Sequence, residues 1–261
     1  MANSIIRGCK YDSTRSIFSF NMWFHKKVSV IFPAYNEQEN INEAVGDFLG
    51  TGIVDELIVV DNNSRDKTAK LARSAGAKVV TEKNQGYGFA LQRGLKETNG
   101  DLCILAEPDG TFRGMDIIKL LLYSDKFDLV LGTRTKKELI NKGANMGIIL
   151  RFGNILIAKF MQFLFDMPSL SDCGCTLRVV NRKLLRKIGS KLTVGGSYFL
   201  PEMVILSKLS RAKIIEIPVN YQKRKGESKI TGSFKRALIV GFRMVLLIIA
   251  YKARNRPTLF S

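Results

Sequence analysis

The sequence predicts an α/β protein built on a mostly parallel sheet with helices on both faces. Two observations carry that prediction. Short apolar runs alternate with helical stretches from residue 28 to residue 134, the pattern of consecutive βα units. Each run also ends in a polar turn, and in such sheets ligands bind beyond the carboxyl ends of the strands. At 261 residues the chain is long enough for one large domain with additions.

The first strand is expected over residues 28–32, stopped by Pro33, with the turn Ala34-Tyr35-Asn36-Glu37 and a helix over 38–49. The second unit pairs a strand over 56–60 with the turn Asp61-Asn62-Asn63-Ser64-Arg65-Asp66 and an Ala-rich helix to residue 75. A third strand, 77–81, leads through Asn84-Gln85-Gly86-Tyr87-Gly88 into another helix. The fourth delivers the acidic turn Glu107-Pro108-Asp109-Gly110. After a helix over 115–123, the fifth, 128–132, closes on Thr133-Arg134. The residues placed just after strands are therefore Tyr35, Glu37, Asp61, Glu107, Asp109 and Arg134. No Gly-rich dinucleotide loop follows the first strand and no GxxxxGK[ST] occurs, which disfavours a Rossmann dehydrogenase or a P-loop nucleotidase.

Composition narrows the chemistry. Lys and Arg number 41 against 23 Asp and Glu, a formal charge of +18, which implies an anionic partner: nucleic acid, anionic lipid or a phosphorylated substrate. The chain has one His, His25, so neither a His-based triad nor His-metal chemistry is expected. The four Cys lack the paired spacing of zinc sites and are expected as reduced thiols. Catalysis is left to carboxylates, Arg and Lys. In the acidic turn, Glu107 and Asp109 stand one residue apart and repel unless a cation sits between them, and hard oxygen ligands suit Mg²⁺ or Mn²⁺ carrying a phosphate. The alternative is an ordinary acidic turn.

Two later segments are apolar and helical, residues 146–165 and 237–251. The first carries Arg151 and Lys159, each costing about 2.5–3.5 kcal/mol at the centre of a membrane span. The second, at about 1.5 Å per residue, spans about 22 Å against a hydrocarbon core of about 30 Å. The first reads either as a helix packed on the sheet or as an amphipathic helix at a membrane interface, and the second as a basic amphipathic membrane-surface helix more than a spanning one, with Lys252, Arg254 and Arg256 after its end. Between them lie Ser171-Asp172-Cys173-Gly174-Cys175-Thr176-Leu177-Arg178, a helix with Pro201-Glu202 at its start, a strand over 213–219, and the basic loop Arg224-Lys225-Gly226-Glu227-Ser228-Lys229. That loop is a solvated charge run or a phosphate clamp. Residues 1–26 show no signal peptide and read as an extension or an aromatic surface anchor.

Taken in order, Pro33-Ala34-Tyr35-Asn36-Glu37, Val59-Val60-Asp61 with the turn that follows, Glu107-Pro108-Asp109, Gly132-Thr133-Arg134 and the basic loop resemble the family 2 glycosyltransferases of GT-A fold. Within them the chain is most similar to dolichyl-phosphate mannose synthase and related polyprenyl-phosphate hexosyltransferases. The resemblance implies an inverting, metal-dependent hexosyltransferase moving sugar from a nucleotide-sugar, GDP-mannose or a UDP-hexose, to a polyprenyl phosphate. It implies that Pro33, Tyr35 and Glu37 border the nucleotide, that Val59 and Asp61 lie at the base, and that Glu107 and Asp109 hold Mg²⁺ or Mn²⁺ against the diphosphate. Pro108 and Thr111 belong to the same substrate-binding turn. Arg134, Arg151, Arg224 and Lys229 would hold the donor diphosphate and acceptor phosphate, with Asp109, Arg134 and Arg151 as the catalytic set. The implied organisation is an extension over 1–26, a catalytic domain over 27–232 that includes the 145–165 helix, and a basic membrane-associating helix and tail over 233–261. The implied location is the cytoplasmic face of a membrane, peripheral or shallowly inserted, with no nucleic-acid partner.

Three positions depart from the family pattern: Glu107 stands for the commoner Asp, Asn62 for a common second Asp, and Thr111 where many synthases have Gln. Lys223 also competes with Arg224 for one role in the basic loop. A phosphate acceptor, with a second pKa of about 6, is already largely dianionic near neutral pH and needs no strong base. A saccharide hydroxyl would need one, and Asp172 and Glu202 are the candidates if the acceptor is a lipid-linked or lipopolysaccharide saccharide.

Overall fold

The computed structural model describes residues 23–141, 144, 148–225 and 234–254. Its centre is a seven-stranded sheet formed by β1 (Val28–Ala34), β2 (Glu56–Asp61), β3 (Lys78–Thr81), β4 (Leu102–Leu105), β5 (Leu129–Thr133), β6 (Arg178–Asn181) and β7 (Ile214–Pro218). The spatial order is β3-β2-β1-β4-β6-β5-β7. β1, β2, β3 and β4 pair in parallel, as do β5 and β7, while β6 runs antiparallel to both β4 and β5. Six strands thus point one way and β6 alone runs back.

The mostly parallel sheet is as the sequence predicts; β6 is the element it does not reveal. Only Val179 and Val180 in that strand are apolar, and its first residue is an arginine, so no strand periodicity stands out. Arg178 is nonetheless 1% exposed, donating to the carbonyls of Cys175 and Leu200 at 2.5 and 3.1 Å. Burial lowers its pKa below the usual arginine value. Antiparallel β6 has a consequence for function: its start, not its finish, lies at the carboxyl end of the sheet, so Asp172 to Thr176 arrive at the same edge as the turns of β1, β2, β4 and β5.

Pro33 does not stop the first strand, which continues to Ala34. The reason lies in the hydrogen-bond alternation. Ala106 N donates to Ile31 O and Asn62 N to Ala34 O, so odd positions of β1 face β4 and even positions face β2. Pro33 therefore turns its missing N–H toward the side where β4 has already ended at Leu105.

Side chains alternate between two cores. Val30, Phe32, Leu57, Val59 and Ile104 pack with α1 (Ile41–Leu49), α2 (Thr68–Ser74) and α4 (Asp116–Leu121). Ile31, Ile58, Val60, Cys103 and Leu105 pack with α3 (Tyr87–Glu97), α5 (Ile148–Phe165), α6 (Arg182–Ile188), α7 (Phe199–Leu209) and α8 (Phe234–Arg254). Each fully buried aliphatic or Phe side chain contributes about 1.5–3 kcal/mol. α1 begins three residues later than expected, at Ile41, and α3 lies so close to β1 that a Cβ on Gly94 would meet Ile31 Cγ2 at 2.3 Å. α6 is capped by Asn181, whose side chain accepts from Leu184 N.

α8 extends three residues beyond the expected segment at each end and packs on α5 and α7 through buried Met244 and Ile248. Its Tyr251 hydroxyl donates to Glu202 of α7 at 2.9 Å. The rest of the α8 and α5 surface leaves Leu238, Phe242, Leu246, Phe152, Leu156 and Phe163 exposed. No helix among the described residues is long and apolar enough to cross a membrane.

Candidate active site

The carboxyl ends of β1, β2, β4 and β5, the approach to β6 and the loop after β7 converge on one edge of the sheet. At its centre stand Glu107 and Asp109. Leu105 is the last residue of β4, and Gly110 takes φ +77°, a left-handed conformation glycine adopts without strain, to turn the chain away. Asp109 Oδ1 accepts from Thr111 N at 3.0 Å and from Thr111 Oγ1 at 2.5 Å. Thr111 thus locks the aspartate from below.

The loop leaving β7 closes over this turn. Gln222 N donates to Thr111 O and Lys225 N to Asp109 O, both at 2.9 Å. Asn40 Nδ2 donates to Lys225 O, and the Lys225 ammonium pairs with Glu43. Arg224 is thereby aimed at the carboxylates: its Nη2 lies 2.8 Å from Glu107 Oε2 and 2.5 Å from Asp109 Oδ2. Lys223 is exposed, and of the two it is Arg224 that faces the carboxylates. Lys229, with Gly226 to Ser228, Arg256 and residues 1–22, lies outside the described residues.

One guanidinium between two acids does not complete the site. Buried Asp109 Oδ2 is close to Arg224 but accepts no well-formed hydrogen bond from any described group. Burial and then the neighbouring Asp109 charge push the Glu107 carboxyl up to about 7, against the pull of Arg224. Its other oxygen, Oε1, accepts from Thr176 Oγ1 at 2.8 Å.

Arg134 stands on the far side. Its Nε and Nη2 form a bidentate pair with Asp172 at 2.7 and 2.9 Å, its backbone N–H adds a third bond, and its guanidinium lies over the Tyr221 ring. Burial pushes the Asp172 carboxyl upward, but the Arg134 charge and the backbone N–H groups of Arg134 and Gly174 outweigh it and hold it below the usual range. Glu216 of β7 holds the same loop by accepting from Ser171 N, Ser171 Oγ and Asp172 N. Arg151 reaches from α5 to Thr135 O at 2.5 Å, beside Arg134 in the chain.

The turns after β1 and β2 are laced into a shelf. Asn36 N donates to Ser64 Oγ, Arg65 N to Asn36 Oδ1, Glu37 N to Thr68 Oγ1 and Ser64 N to Asp61 Oδ1. Tyr35, Glu37 and Asp61 sit on it half-buried, and Pro33 enters it. Val59, expected at the base, has its side chain fully buried in the core with α1 and α2. Asn62 explains its own departure from Asp. Its amide nitrogen donates to Glu82 O and Asn84 O at 2.9 and 2.8 Å while Oδ1 accepts from Gly86 N, and a carboxylate could not make the two donations.

Asp172 and Glu202 are not poised as bases. Asp172 is committed to Arg134, and Glu202, fully buried, accepts from Thr193 N, Thr193 Oγ1, Val194 N and Tyr251. Sequence reasoning also gave no individual role to Thr176 or Tyr87, which join Glu107 through hydroxyls. The only available signal was a Thr in the stretch before an unrecognised strand.

The acidic pair and its neighbouring cations stand at the carboxyl edge of a mostly parallel sheet, where open α/β folds bind their ligands. A model described as glycosyl transferase family 2 matches residues 29–189. The chain belongs to that family and is a glycosyltransferase. It is 31% identical over 208 residues to a dolichyl-phosphate hexose transferase of Haloferax volcanii, covering 78% of this chain and 86% of the relative. It is 27% identical over 251 residues to a UDP-N-acetylglucosamine–dolichyl-phosphate N-acetylglucosaminyltransferase of Methanococcus voltae, covering 85% and 98%. Among solved structures, glucosyl-3-phosphoglycerate synthase from Mycobacterium tuberculosis with Mn²⁺, UDP-glucose and phosphoglyceric acid superposes with a TM-score of 0.69 at 19% identity, covering 87% of this chain and 80% of that one. This likeness bears on the fold, GT-A-like as the sequence implied.

Proposed function

We propose that the protein transfers a hexose from a nucleotide-sugar to a polyprenyl phosphate at a membrane surface, with inversion. The observation that carries the reading is the pair Glu107 and Asp109 bridged by Arg224 where the strands end. The donor set fits a hard divalent cation: two carboxylates, one with a buried oxygen that accepts no hydrogen bond. No group of three or more His, Cys, Asp or Glu able to hold a metal occurs among the described residues, so diphosphate oxygens and water would supply the other ligands. When bound, Mg²⁺ or Mn²⁺ would offset the negative charge growing on the leaving nucleoside diphosphate.

The chain's own residues do the rest. The Tyr35, Glu37 and Asp61 shelf orients the nucleotide, and Asp109, fixed by Thr111, sets the diphosphate end. Arg134, held in one orientation by Asp172, and Arg151 and Arg224 bring two anions together against their repulsion. A phosphate oxygen of the acceptor then attacks the anomeric carbon from the side opposite the leaving diphosphate; the new C–O bond forms as the old one breaks, inverting the centre. No proton need be removed. The acceptor assignment is supported by the dolichyl-phosphate substrates named for two relatives and by the structural commitment of Asp172 and Glu202, which leaves the saccharide-acceptor reading without its expected base.

The apolar residues exposed on α5 and α8, with Lys252 and Arg254 at the end of α8, support a peripheral seat on the cytoplasmic face, with residues 27–232 as the catalytic unit and the 233–261 segment membrane-associating. Label from GDP-mannose, UDP-glucose or UDP-GlcNAc should appear in organic-soluble product when polyprenyl phosphate and Mg²⁺ or Mn²⁺ are supplied. Asp109→Asn should reduce transfer at least 100-fold while leaving the fold intact. Label found only in saccharide acceptors, or full activity of Asp109→Asn, would overturn the proposal.

A further inference from the structure

Glu107 is held from both sides, and the side away from Arg224 has no part in the mechanism above. Thr176 Oγ1 donates to Glu107 Oε1 at 2.8 Å, so its proton is committed, and the Tyr87 hydroxyl, 2.6 Å away, must donate into Thr176. The relay is Tyr87 to Thr176 to Glu107.

Both hydroxyls stand on firmly mounted backbone. Tyr87 is the first residue of α3, where Gly88 N and Phe89 N both donate to Gly195 O and a Cβ on Gly88 would meet Val194 O at 2.1 Å. Glu202 in turn holds Thr193 and Val194. Thr176 itself is 3% exposed, and Arg178, two residues on, pins Cys175 O. The relay's middle member, Thr176, lies 89 residues from Tyr87 and 69 from Glu107, and it meets both because antiparallel β6 begins at the active edge.

With Oε1 so engaged, the carboxylate cannot rotate freely, and Oε2 faces Arg224 and Asp109. A glutamate spans the two partners; an aspartate, one methylene shorter, could keep only one. We infer that Thr176, backed by Tyr87, is a positioning residue that fixes Glu107 Oε2 toward a cation shared with Asp109, and that a glutamate at 107 depends on this hydroxyl pair. The inference rests on the reading of Glu107 and Asp109 as a cation site.

The test is Mn²⁺ binding to the full-length protein, followed by loss of the free Mn²⁺ electron paramagnetic resonance signal, alone and with UDP or GDP. Removing a partner that orients a metal ligand weakens affinity by about 10- to 100-fold. Thr176→Val should fall in that range, Thr176→Ser should return to within about twofold of wild type, and Tyr87→Phe should lose less than Thr176→Val. Glu107→Asp should bind more weakly, and adding Thr176→Val to it should cost nothing further. Wild-type affinity in Thr176→Val, or additive losses in the double variant, would overturn the positioning role. If Asp109→Asn loses Mn²⁺ while Thr176→Val keeps it, the cation site stands and only the relay falls. If wild type and Asp109→Asn bind alike, the cation reading falls and the inference with it. Thermal unfolding of each variant, with Thr176→Ser as the volume control, separates misfolding from loss of orientation.

Discussion

Replacing Asp172 by Asn decides between a carboxylate that builds the site and one that performs proton transfer. Asp172 accepts four hydrogen bonds: from Arg134 N at 3.1 Å, Nε at 2.7 Å and Nη2 at 2.9 Å, and from Gly174 N at 3.2 Å. The side chains are 13% and 1% exposed, so water cannot replace the lost charge. Asn keeps the shape but turns an NH₂ toward a donor and leaves the guanidinium uncompensated. Breaking one side of such a buried pair costs about 3–5 kcal/mol. At about 2–4 °C per kcal/mol for a chain approaching this size, Tm should fall by about 6–20 °C.

The pH dependence has a defined sign. Because the folded carboxyl lies below the ordinary aspartate value, its contribution is present in full above that value and is lost as pH falls through the lower folded pKa. Wild type should therefore lose stability over this acid window more steeply than Asp172→Asn. In urea unfolding, Arg134→Met should cost less in the Asp172→Asn background than alone, with a coupling of about 2 kcal/mol or more. If Asp172 is instead the base for a hydroxyl acceptor, Asp172→Asn would abolish turnover while Tm stays within about 1 °C of wild type. That result would refute the structural assignment.

Asn62→Asp should destabilise this protein by about 2–6 kcal/mol, because the carbonyls of Glu82 and Asn84 lose their shared donor; an unchanged urea midpoint would contradict it. On the outer face, serine at Phe163, Phe242 and Leu246 should leave Tm nearly unchanged, since all three are exposed, yet weaken flotation with anionic liposomes by about 1.5–3 kcal/mol for each side chain that is fully buried in lipid. Undiminished flotation would show that these helices do not seat the protein.

Much of the frame was legible because each βα unit advertises itself locally. Apolar runs at 28–32, 56–60 and 128–132 formed strands, and the turns after them reached one edge, since parallel strands bring their carboxyl ends together. Local pattern failed where the determining contact was remote. Pro33 looks like a strand stop until β4 is seen to end beside it. Val59 shares a face of β2 with Asp61, yet it lies two residues further back from the carboxyl end and is covered by the core with α1 and α2. Asp172 and Glu202 carry the charge a base needs, and only their partners, Arg134 on one and Tyr251 with the Thr193 loop on the other, show how they are used.

By itself the sequence determined the sheet class, the acidic pair, the cationic loop and the family to which they belong, because these depend on residue type at short spacing. The tertiary structure alone decided how the acidic pair is held. β6 carries too few apolar residues to declare itself, and its reversed direction places Thr176 and Asp172 at the active edge. There one orients Glu107 and the other Arg134, contacts that span 69 and 38 residues of chain and that no local pattern encodes.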